Sequence, residues 1–248
     1  MIAYQDEWVT LYQGDSMEIM RGLRIFDACI TDPPYEETSK AWDKWPAAWP
    51  LEVLGHTASL WCFGSLRLFM DKRNDFAGWK LSQDVIWEKH NGSSMARDRF
   101  RRVHEIAAHF YSGEWARVYK NPLRVQIAER RRQGVIARGT VPTHWHGVKR
   151  GKSDYVYDGT RQMRSVIYSR SCHGHAIHPT QKPEAIVEPL IEYSVPPGGA
   201  VLDPFAGSAT TLIVARRMGR KAVGIEADPA MVAKAVARLS ANPIEAVA

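Results

Sequence analysis

The stretch Val201-Leu202-Asp203-Pro204-Phe205-Ala206-Gly207-Ser208-Ala209-Thr210-Thr211 decides the fold. Apolar residues lead into Asp203, small residues follow, and residues 209–218 have helical spacing, so the stretch predicts a strand, a tight loop and a helix. A loop of small residues lets the backbone approach a bound molecule closely, and the N–H groups at the start of the helix can bind a carboxylate. The stretch therefore predicts a cofactor site at the end of a strand.

A second carboxylate follows one strand later. Val223-Gly224-Ile225 lead into Glu226, about 20 residues after the loop, which is the spacing at which an acidic residue binds ribose hydroxyls. The loop has neither the Gly-Lys-Ser/Thr of a phosphate loop nor the second and third glycines of the dinucleotide fingerprint. These residues favour a cofactor that carries a nucleoside but no pyrophosphate.

Strand and helix patterns alternate along most of the chain, which predicts an α/β fold with a largely parallel sheet. The predicted strands are residues 9–13, 25–31, 57–63, 81–87, 104–111, 200–202 and 222–225, and the predicted helices are 16–23, 66–76, 184–194, 209–218 and 229–240. From Ser112 to Arg170 this periodicity breaks down. We interpret that region as an insert in the α/β scaffold.

Asp32-Pro33-Pro34-Tyr35 directly follows the predicted strand at 25–31. In an open α/β sheet, the carboxyl ends of the strands face the ligand crevice. The two prolines fix the loop and remove two backbone donors, so carbonyl oxygens stay available as acceptors. A carboxylate, bare carbonyls and an aromatic ring suit a flat substrate that carries an amino group. A turn with a capping Asp is the alternative interpretation.

The composition is that of a soluble globular protein of 248 residues, with 45% hydrophobic and 24% charged residues. Its three cysteines, Cys29, Cys62 and Cys172, cannot form a disulfide framework. The sequence contains no signal peptide and no apolar run long enough to cross a bilayer. We therefore expect a cytoplasmic protein without a membrane partner. The Cys and His residues at 172–178 fit no standard zinc spacing, and no metal site is predicted.

The net charge of +6 is concentrated in one region. Residues 94–170 contain 17 of the 33 Lys and Arg residues but 6 of the 27 Asp and Glu residues, a net +11, which leaves −5 for the rest. Arginine binds phosphate and guanine edges, and the interleaved aromatic rings can stack on exposed bases. Nucleic acid is thus the predicted partner, and a solvated surface is the alternative. The candidate DNA contacts are Arg97, Arg99, Arg101, Arg102, Arg124, Arg130, Arg131, Arg132 and Arg138.

Three motifs, in this order, resemble the S-adenosylmethionine-dependent DNA amino-methyltransferases of the permuted (beta) class. Asp32-Pro33-Pro34-Tyr35 resembles the catalytic tetrapeptide, His178-Pro179-Thr180-Gln181-Lys182-Pro183 the segment before the first core helix, and Asp203–Thr211 the cofactor loop. The resemblance covers about residues 9–240. Weaker matches are Gly14-Asp15-Ser16, and Trp87-Glu88-Lys89 with Glu105 after it.

The resemblance implies a Rossmann-like α/β fold, with a mostly parallel sheet of seven strands, one of them antiparallel, and helices on both faces. In the circularly permuted order, the catalytic half is expected at residues 1–111 and the cofactor-binding half at 171–248. The basic region at 112–170 is expected to be the target-recognition insert. A homodimer is a further expectation from the resemblance.

The resemblance also implies roles for individual residues. Asp32 and the carbonyl of Pro33 would hold the amine of the target base, Tyr35 would stack against that base, and Glu226 would bind the ribose hydroxyls. Ala209 stands where the family usually has a second glycine, for which we expect a modest shift rather than loss of cofactor binding. The other implied cofactor contacts are Asp15, Asp32, Thr180, Lys182, Asp203, Phe205, Ala206, Gly207 and Ser208.

The predicted activity is site-specific methylation of double-stranded DNA at the N6 amine of an adenine that has flipped out of the duplex. The choice of adenine depends on Asp32, because members with Asp before Pro-Pro-Tyr mostly modify adenine, whereas members with Ser there mostly modify cytosine N4. A cytosine-N4 enzyme of the same family and a catalytically silent nucleic-acid-binding protein are the alternatives. The intact Asp32 and Tyr35 argue against the silent protein.

Overall fold

The computed structural model describes residues 1–40, 42–92, 97–126, 159–172 and 181–242. The chain divides into two compact units, one formed by Met1–Asn121 with Arg164–Ala248 and the other by Pro122–Met163. The larger unit contains the sheet and helices described below. The boundaries 112–170 for a target-recognition insert stay a prediction.

Eleven strands and six α-helices are present in the described residues. The strands are β1 (Ile2–Gln5), β2 (Val9–Gln13), β3 (Ala28–Thr31), β4 (Ser59–Gly64), β5 (Lys80–Glu88), β6 (His104–Tyr111), β7 (Arg124–Gln126), β8 (Thr160–Gln162), β9 (Val166–Tyr168), β10 (Ala200–Asp203) and β11 (Lys221–Glu226). The helices are α1 (Ser16–Met20), α2 (Trp49–Val53), α3 (Leu66–Asp71), α4 (Glu184–Ser194), α5 (Thr210–Arg217) and α6 (Pro229–Ala241). Short 3₁₀ turns lie at Arg73–Phe76 and Trp115–Arg117. In the smaller unit, β7 and β8 form an antiparallel pair.

The sheet of the larger unit has the strand order β1-β2-β11-β10-β3-β4-β6-β5-β9. The five strands from β2 to β4 in this order are mutually parallel, whereas β6 is antiparallel to both of its neighbours and β1 is antiparallel to β2. The resemblance implied seven strands with one antiparallel; the described sheet has nine, two of them antiparallel. The additional strands, β1 and β9, lie at the two edges. Edge strands are only partly covered, so they need no continuous apolar run, and the sequence pattern gave no signal for them.

Two separate cores show that helices cover both faces of the sheet. Along β3, Ala28 and Ile30 belong to one core and Cys29 to the other, as expected when successive side chains point to opposite faces. The first core also contains the apolar faces of α4, α5 and α6. The second contains Trp49 of α2 and Leu68 of α3, so the predicted α/β fold with a largely parallel sheet and two helical layers is confirmed.

Several predicted elements match the structure from end to end, including the strands at 9–13 and 104–111 and the helix at 184–194. The helix predicted at 16–23 ends at Met20, and the one predicted at 66–76 breaks into α3 and a 3₁₀ turn. The strand predicted at 25–31 begins only at Ala28, and Ile25 is exposed. None of the helices in the described ranges is long and apolar enough to span a membrane. The circular permutation stays a prediction.

Candidate active site

Two acidic loops lie side by side because β3 and β10 are parallel neighbours. Val201 is opposite Ala28 and Leu202 is opposite Cys29, so both strands end at the same edge of the sheet. The Thr31 hydroxyl at the end of β3 donates a hydrogen bond of 2.7 Å to Oδ1 of Asp203 at the end of β10. The Asp-Pro-Pro-Tyr loop and the small-residue loop are therefore tied together where ligands of open α/β sheets bind.

The Asp32 carboxylate has one polar neighbour on each oxygen. Tyr35 donates its hydroxyl to Oδ1 at 2.5 Å, and the Lys182 ammonium lies 2.5 Å from Oδ2. Burial raises the pKa of Asp32, and the positive charge of Lys182 opposes that shift. The Asp32 side chain is still 23% exposed, so the carboxylate can be reached from the cleft.

The shape of the Asp-Pro-Pro-Tyr loop is held by a second carboxylate that the sequence analysis did not single out. Asp43 accepts hydrogen bonds from the backbone N–H groups of Tyr35 at 2.8 Å, Glu36 at 2.9 Å and Thr38 at 2.7 Å. Burial would raise the pKa of Asp43, but a hydrogen bond from the Thr38 side chain and these backbone bonds outweigh it and hold this pKa below its ordinary value. The turn satisfies backbone donors just beyond the prolines and fixes the direction of the Tyr35 side chain.

Lys182 connects Asp32 to a buried ion-pair network. Its ammonium lies 3.2 Å from Oε2 of Glu105, and Lys89 pairs with Oε1 of the same carboxylate. Burial would raise the pKa of Glu105, but Lys182 and Lys89 outweigh it and lower this pKa to about 2. Burial would likewise lower the pKa of Lys182, but Asp32 and Glu105 outweigh it and raise this pKa. Glu105 and Lys182 therefore stay charged and stabilise each other.

The cofactor loop is shaped by backbone contacts with β11. The Ala206 N–H donates to the carbonyl of Ile225 at 2.8 Å, and the Gly207 N–H donates to Oε2 of Glu226 at 2.9 Å. Gly224 leaves no room for a side chain, because a Cβ there would lie 2.7 Å from Leu212 and 2.9 Å from Ala206. Two residues of the loop adopt a left-handed conformation: Gly207 with φ of 49°, and Ala209 with φ of 61° directly before α5 begins. Glycine adopts this conformation without steric cost, so the backbone strain falls on Ala209.

Two carboxylates border this loop, and burial raises the pKa of both. Asp203 is 4% exposed, and its pKa is raised to about 6 although the Thr31 hydroxyl favours the ionised form. The pKa of Glu226 is also raised by burial, although the hydrogen bonds that it accepts from the N–H groups of Asp228 and Gly207 act to lower it. Both groups thus carry oxygen acceptors in a poorly hydrated environment, where hydrogen bonds to a ligand are strong.

A single cleft with a volume of about 1210 Å³ connects the two loops. Of the predicted catalytic and cofactor residues, Thr180 lies outside the described residues, as do His178 and Pro179, which precede it in its motif. All of the others line the cleft: Asp15, Asp32, Pro33, Pro34, Tyr35, Lys182, Asp203, Phe205, Ala206, Gly207, Ser208 and Glu226. Asp15 has a second function there, since its side chain caps α1 by accepting from the Glu18 N–H at 3.0 Å.

The candidate DNA-binding arginines fall into three groups. Arg97, Arg99 and Arg101 are exposed on the connection between β5 and β6, and Arg102 on the same connection lines the cleft and pairs with Glu37 at 2.8 Å. In the smaller unit, Arg124 is exposed on β7 and donates to the Thr160 hydroxyl. Arg130, Arg131, Arg132 and Arg138 lie outside the described residues.

The sequence analysis assigned no role to Glu105 or Lys89, although both belong to weak family matches. Glu105 stands in β6, a strand whose following residues are buried, and a charge in such a strand is a signal of a buried ion pair. Of the tryptophans after the catalytic loop, Trp45 and Trp49 are core residues, whereas Trp42 is 43% exposed and lines the cleft. Among the described residues, no group of His, Cys, Asp and Glu could hold a metal ion.

Comparisons with known proteins agree with this geometry. A family model described as DNA methylase, of the N6/N4 methyltransferase type, matches residues 26–237. Type II methyltransferase M.ScaI of Streptomyces caespitosus is 26% identical over 271 residues, which cover 96% of this chain and 84% of that protein. The crystal structure of an M1.HpyAVI–SAM complex has a TM-score of 0.63 and 24% identity, covering 93% of this chain and 98% of the other. PvuII DNA methyltransferase (cytosine-N4-specific) has a TM-score of 0.67 and 17% identity, covering 96% and 88%. These likenesses confirm the Rossmann-like methyltransferase fold.

Proposed function

Because the chain belongs to the N6/N4 DNA methylase family, we propose that it transfers a methyl group from S-adenosylmethionine to the N6 amine of an adenine flipped out of double-stranded DNA. The observation that carries this proposal is the cleft shared by Asp32 and the cofactor loop. Pockets that bind drug-sized ligands have volumes of about 300–1,000 Å³. A cleft of about 1210 Å³ therefore has room for a nucleoside cofactor and a base together.

The residues of the cofactor loop suit S-adenosylmethionine. Bound there, S-adenosylmethionine would supply a methyl group activated by a sulfonium centre. Glu226 offers carboxylate lone pairs to ribose hydroxyls, and Gly207 exposes its backbone because it has no side chain. Asp203, Phe205, Ala206, Ser208 and Asp15 line the cleft. We assign the first four to the methionine part of the cofactor, with Asp15 at the border of its pocket. We assign Thr180 to the methionine carboxylate on the resemblance alone.

Asp32 and Pro33 hold the target amine. An adenine amine is a poor nucleophile because its lone pair is delocalised into the ring. The Asp32 carboxylate accepts one N–H and the Pro33 carbonyl accepts the other, which favours a more tetrahedral nitrogen with its lone pair directed at the methyl group. Holding the reacting atoms in line supplies much of the rate. The negative charge of Asp32 also stabilises the positive charge that develops on nitrogen, and the excess proton leaves after transfer.

Tyr35 provides the flat surface against which the flipped base stacks. Its ring lines the cleft beside Asp32, and Lys182 lies 5.6 Å from the ring centroid. Burial raises the pKa of Tyr35 well above its ordinary value, so its hydroxyl stays protonated and continues to donate to Asp32. The tyrosine thereby binds the base and orients the carboxylate.

Cytosine N4 is the second candidate target. The observation that favours it is the fold likeness to PvuII DNA methyltransferase, which is cytosine-N4-specific. Both amines become accessible after flipping and present similar N–H groups to Asp32. Asp32 supports adenine, because family members with Asp at this position mostly modify adenine.

A tritium-transfer assay tests the proposed function. The full-length protein is incubated with unmethylated genomic DNA and adenosylmethionine labelled in its methyl group, and the modified nucleoside is identified. We expect label in N6-methyladenine. Label in N4-methylcytosine supports the second candidate, whereas DNA binding without label supports a silent nucleic-acid-binding protein. Methylation-aware sequencing of DNA from cells that express the protein then identifies the methylated sequence.

DNA binding is proposed to depend on the arginines of residues 94–170. Each phosphate contact contributes about 0.9 to the slope of log affinity against log salt concentration. We expect R97A to reduce that slope by about 1. R67A is the matched control, since Arg67 is also exposed but lies on α3, outside residues 94–170. Binding that is insensitive to salt contradicts this interpretation of the charge. Homodimer formation stays an expectation from the resemblance.

A further inference from the structure

The Lys182 ammonium occupies the position that the proposed reaction requires for the target amine. Its Nζ atom lies 2.5 Å from Oδ2 of Asp32, while Oδ1 accepts the Tyr35 hydroxyl. An amine that enters the cleft has to share or displace one of these donors. Lys182 is 6% exposed, so its charge cannot simply turn into solvent when it leaves Asp32.

The Glu105 carboxylate is a second partner that the Lys182 ammonium can reach by a short movement. Oε2 of Glu105 lies 3.2 Å from Nζ. This oxygen is buried and, among the residues that the structure describes, accepts no hydrogen bond with good geometry. Oε1 of the same carboxylate is already occupied by Lys89. Glu105 therefore has one filled and one open acceptor, and the open one faces the ammonium that holds Asp32.

The surroundings keep Lys182 between the two carboxylates. Its Nζ lies 5.6 Å from the centroid of Tyr35 and 5.2 Å from that of Phe63, and aromatic faces at such distances attract cations. Elsewhere a buried ammonium would be penalised by desolvation. A movement of Nζ from Asp32 to Glu105 keeps its charge paired, so the exchange leaves no isolated charge in the cleft.

We propose that Glu105 is a positioning residue that takes over the Lys182 ammonium from Asp32 when the target amine arrives. In the free protein, Lys182 keeps the Asp32 carboxylate ionised and oriented. When the amine reaches Asp32, the ammonium shifts to the open oxygen of Glu105, and Oδ2 becomes available to the amine. This inference rests on the proposed function, since it assumes that Asp32 accepts an N–H from the substrate.

Lys182 and Glu105 act in opposite directions on the pKa of Asp32, so removing one or the other should shift the pH dependence of the reaction in opposite directions. Asp32 is surrounded by Lys182, Glu105, Tyr35, Cys62 and Asp203. Around Glu105 lie Lys182, Lys89, Arg102, Glu37, Asp32 and Tyr35. Lys182 lowers the pKa of Asp32, whereas Glu105 raises it. Removing Lys182 therefore moves the ionisation of Asp32 to higher pH, and removing Glu105 moves it to lower pH.

The test compares E105Q, K182Q and the control E188Q in the full-length protein. E188Q makes the same chemical change as E105Q at an exposed residue that pairs with Arg217 on the surface. Thermal unfolding and adenosylmethionine binding establish that each variant is folded. Single-turnover methyl transfer to unmethylated DNA and the pH profile of kcat/KM are then measured, because that profile reports groups of the free enzyme.

We expect E105Q to transfer the methyl group about 100-fold more slowly, the loss typical of a reacting group misplaced by about 1 Å. The acidic limb of the pH profile of kcat/KM should move to lower pH in E105Q and to higher pH in K182Q. In E188Q it should stay in place. A general loss of stability would not produce opposite shifts. The wild-type rate in E105Q, or limbs that move in the same direction or do not move, overturns the proposal.

If E105Q does not fold, the variant E105D provides the test in its place. It retains the charge but withdraws the carboxylate by one methylene, so we expect a slower transfer with an unmoved acidic limb. A wild-type rate in E105D contradicts the role of Glu105. Wild-type protein is assayed alongside: no label from it contradicts the proposed function, whereas labelled DNA together with unimpaired variants contradicts only this inference.

Discussion

Asp32 follows β3, and Asp203 is the last residue of the neighbouring parallel strand β10. Both line the same cleft, yet their surroundings differ. Asp32 lies against the ammonium of Lys182 and remains 23% exposed. Asp203 is 4% exposed, and its hydrogen-bond donors include the neutral Thr31 hydroxyl and the Phe205 N–H. Burial raises the pKa of both, but a neighbouring cation opposes the shift only at Asp32.

The difference indicates that the charge of the neighbouring group determines whether a buried carboxylate can stabilise a substrate or serves to connect parts of the chain. A carboxylate with a cationic partner stays charged and can stabilise positive charge on a substrate, as we propose for Asp32. A carboxylate surrounded by neutral donors connects segments of the chain, and Asp203 connects the end of β3 to the start of the cofactor loop. The four predictions below test this division between the two loops.

The largest effect is expected at Asp32. D32A removes the acceptor for the amine and the charge that stabilises it, so the transfer rate should fall by about 1,000-fold or more, or about 4 kcal/mol. Cofactor binding should survive in part, because the loop at 204–209 is unchanged. Single-turnover tritium transfer and equilibrium binding of adenosylmethionine measure the two quantities. D71A is the control, since Asp71 is an exposed residue of α3. Wild-type turnover in D32A would remove Asp32 from the mechanism.

The second prediction concerns the pH dependence of stability. The pKa of Asp203 is about 6 in the folded protein and 3.8 for the ordinary group. A raised pKa means that the folded state favours the protonated acid, so this stabilising contribution is complete below the ordinary pKa and is lost as pH rises through 6. Its size is about 3 kcal/mol. D203N has no such titration.

Urea unfolding of the wild type and D203N at intervals between about pH 4 and pH 7 measures this contribution. The stability of the wild type relative to D203N should decline across that interval, because the titration of Asp203 is the change that separates the two proteins. A constant difference would show that Asp203 is ionised throughout and resembles Asp32 more than the structure indicates.

The third prediction separates cofactor binding from chemistry. E226Q removes one charged acceptor from the proposed ribose site, so the Kd for adenosylmethionine should rise by about 10- to 100-fold, as expected for a hydrogen bond to a charged group. The rate at saturating cofactor should change little, since Glu226 is proposed to contact the ribose and not the methyl group. Isothermal titration gives the Kd, with E188Q as the control. A large loss of rate at saturation would place Glu226 with Asp32 in the chemical step.

The smallest effect is expected at Ala209. A left-handed conformation costs a non-glycine residue about 1–2 kcal/mol, but replacing buried Ala209 by Gly also removes a methyl group and increases the freedom of the unfolded chain. A209G should therefore lie within about 0.5 kcal/mol of the wild type. A215G loses the methyl group in a right-handed helix and should cost about 1.5 kcal/mol. Equal losses in both variants would contradict the backbone strain assigned to Ala209.

Local patterns in the sequence determined the elements and the two loops. The alternation of apolar runs with helical spacing depends on neighbouring residues, which is why β2, β6 and α4 were predicted from end to end. The prolines at 33–34 and the small residues at 206–209 have backbone preferences of their own, so they marked the loops without knowledge of the fold. The edge strands β1 and β9 were not predicted, because partial burial leaves no continuous apolar pattern.

Only the tertiary structure decided which groups meet in the cleft. Lys182 reaches Asp32 across 150 residues of sequence, and Thr31 reaches Asp203 across 172. The resemblance counted Lys182 among the cofactor contacts, and that role stays a prediction; the structure places its ammonium between Asp32 and Glu105. The sequence by itself identified the acids at the strand ends. Their charge states depend on burial and on partners brought close by the parallel packing of β3, β10 and β4, and no local pattern encodes those distances.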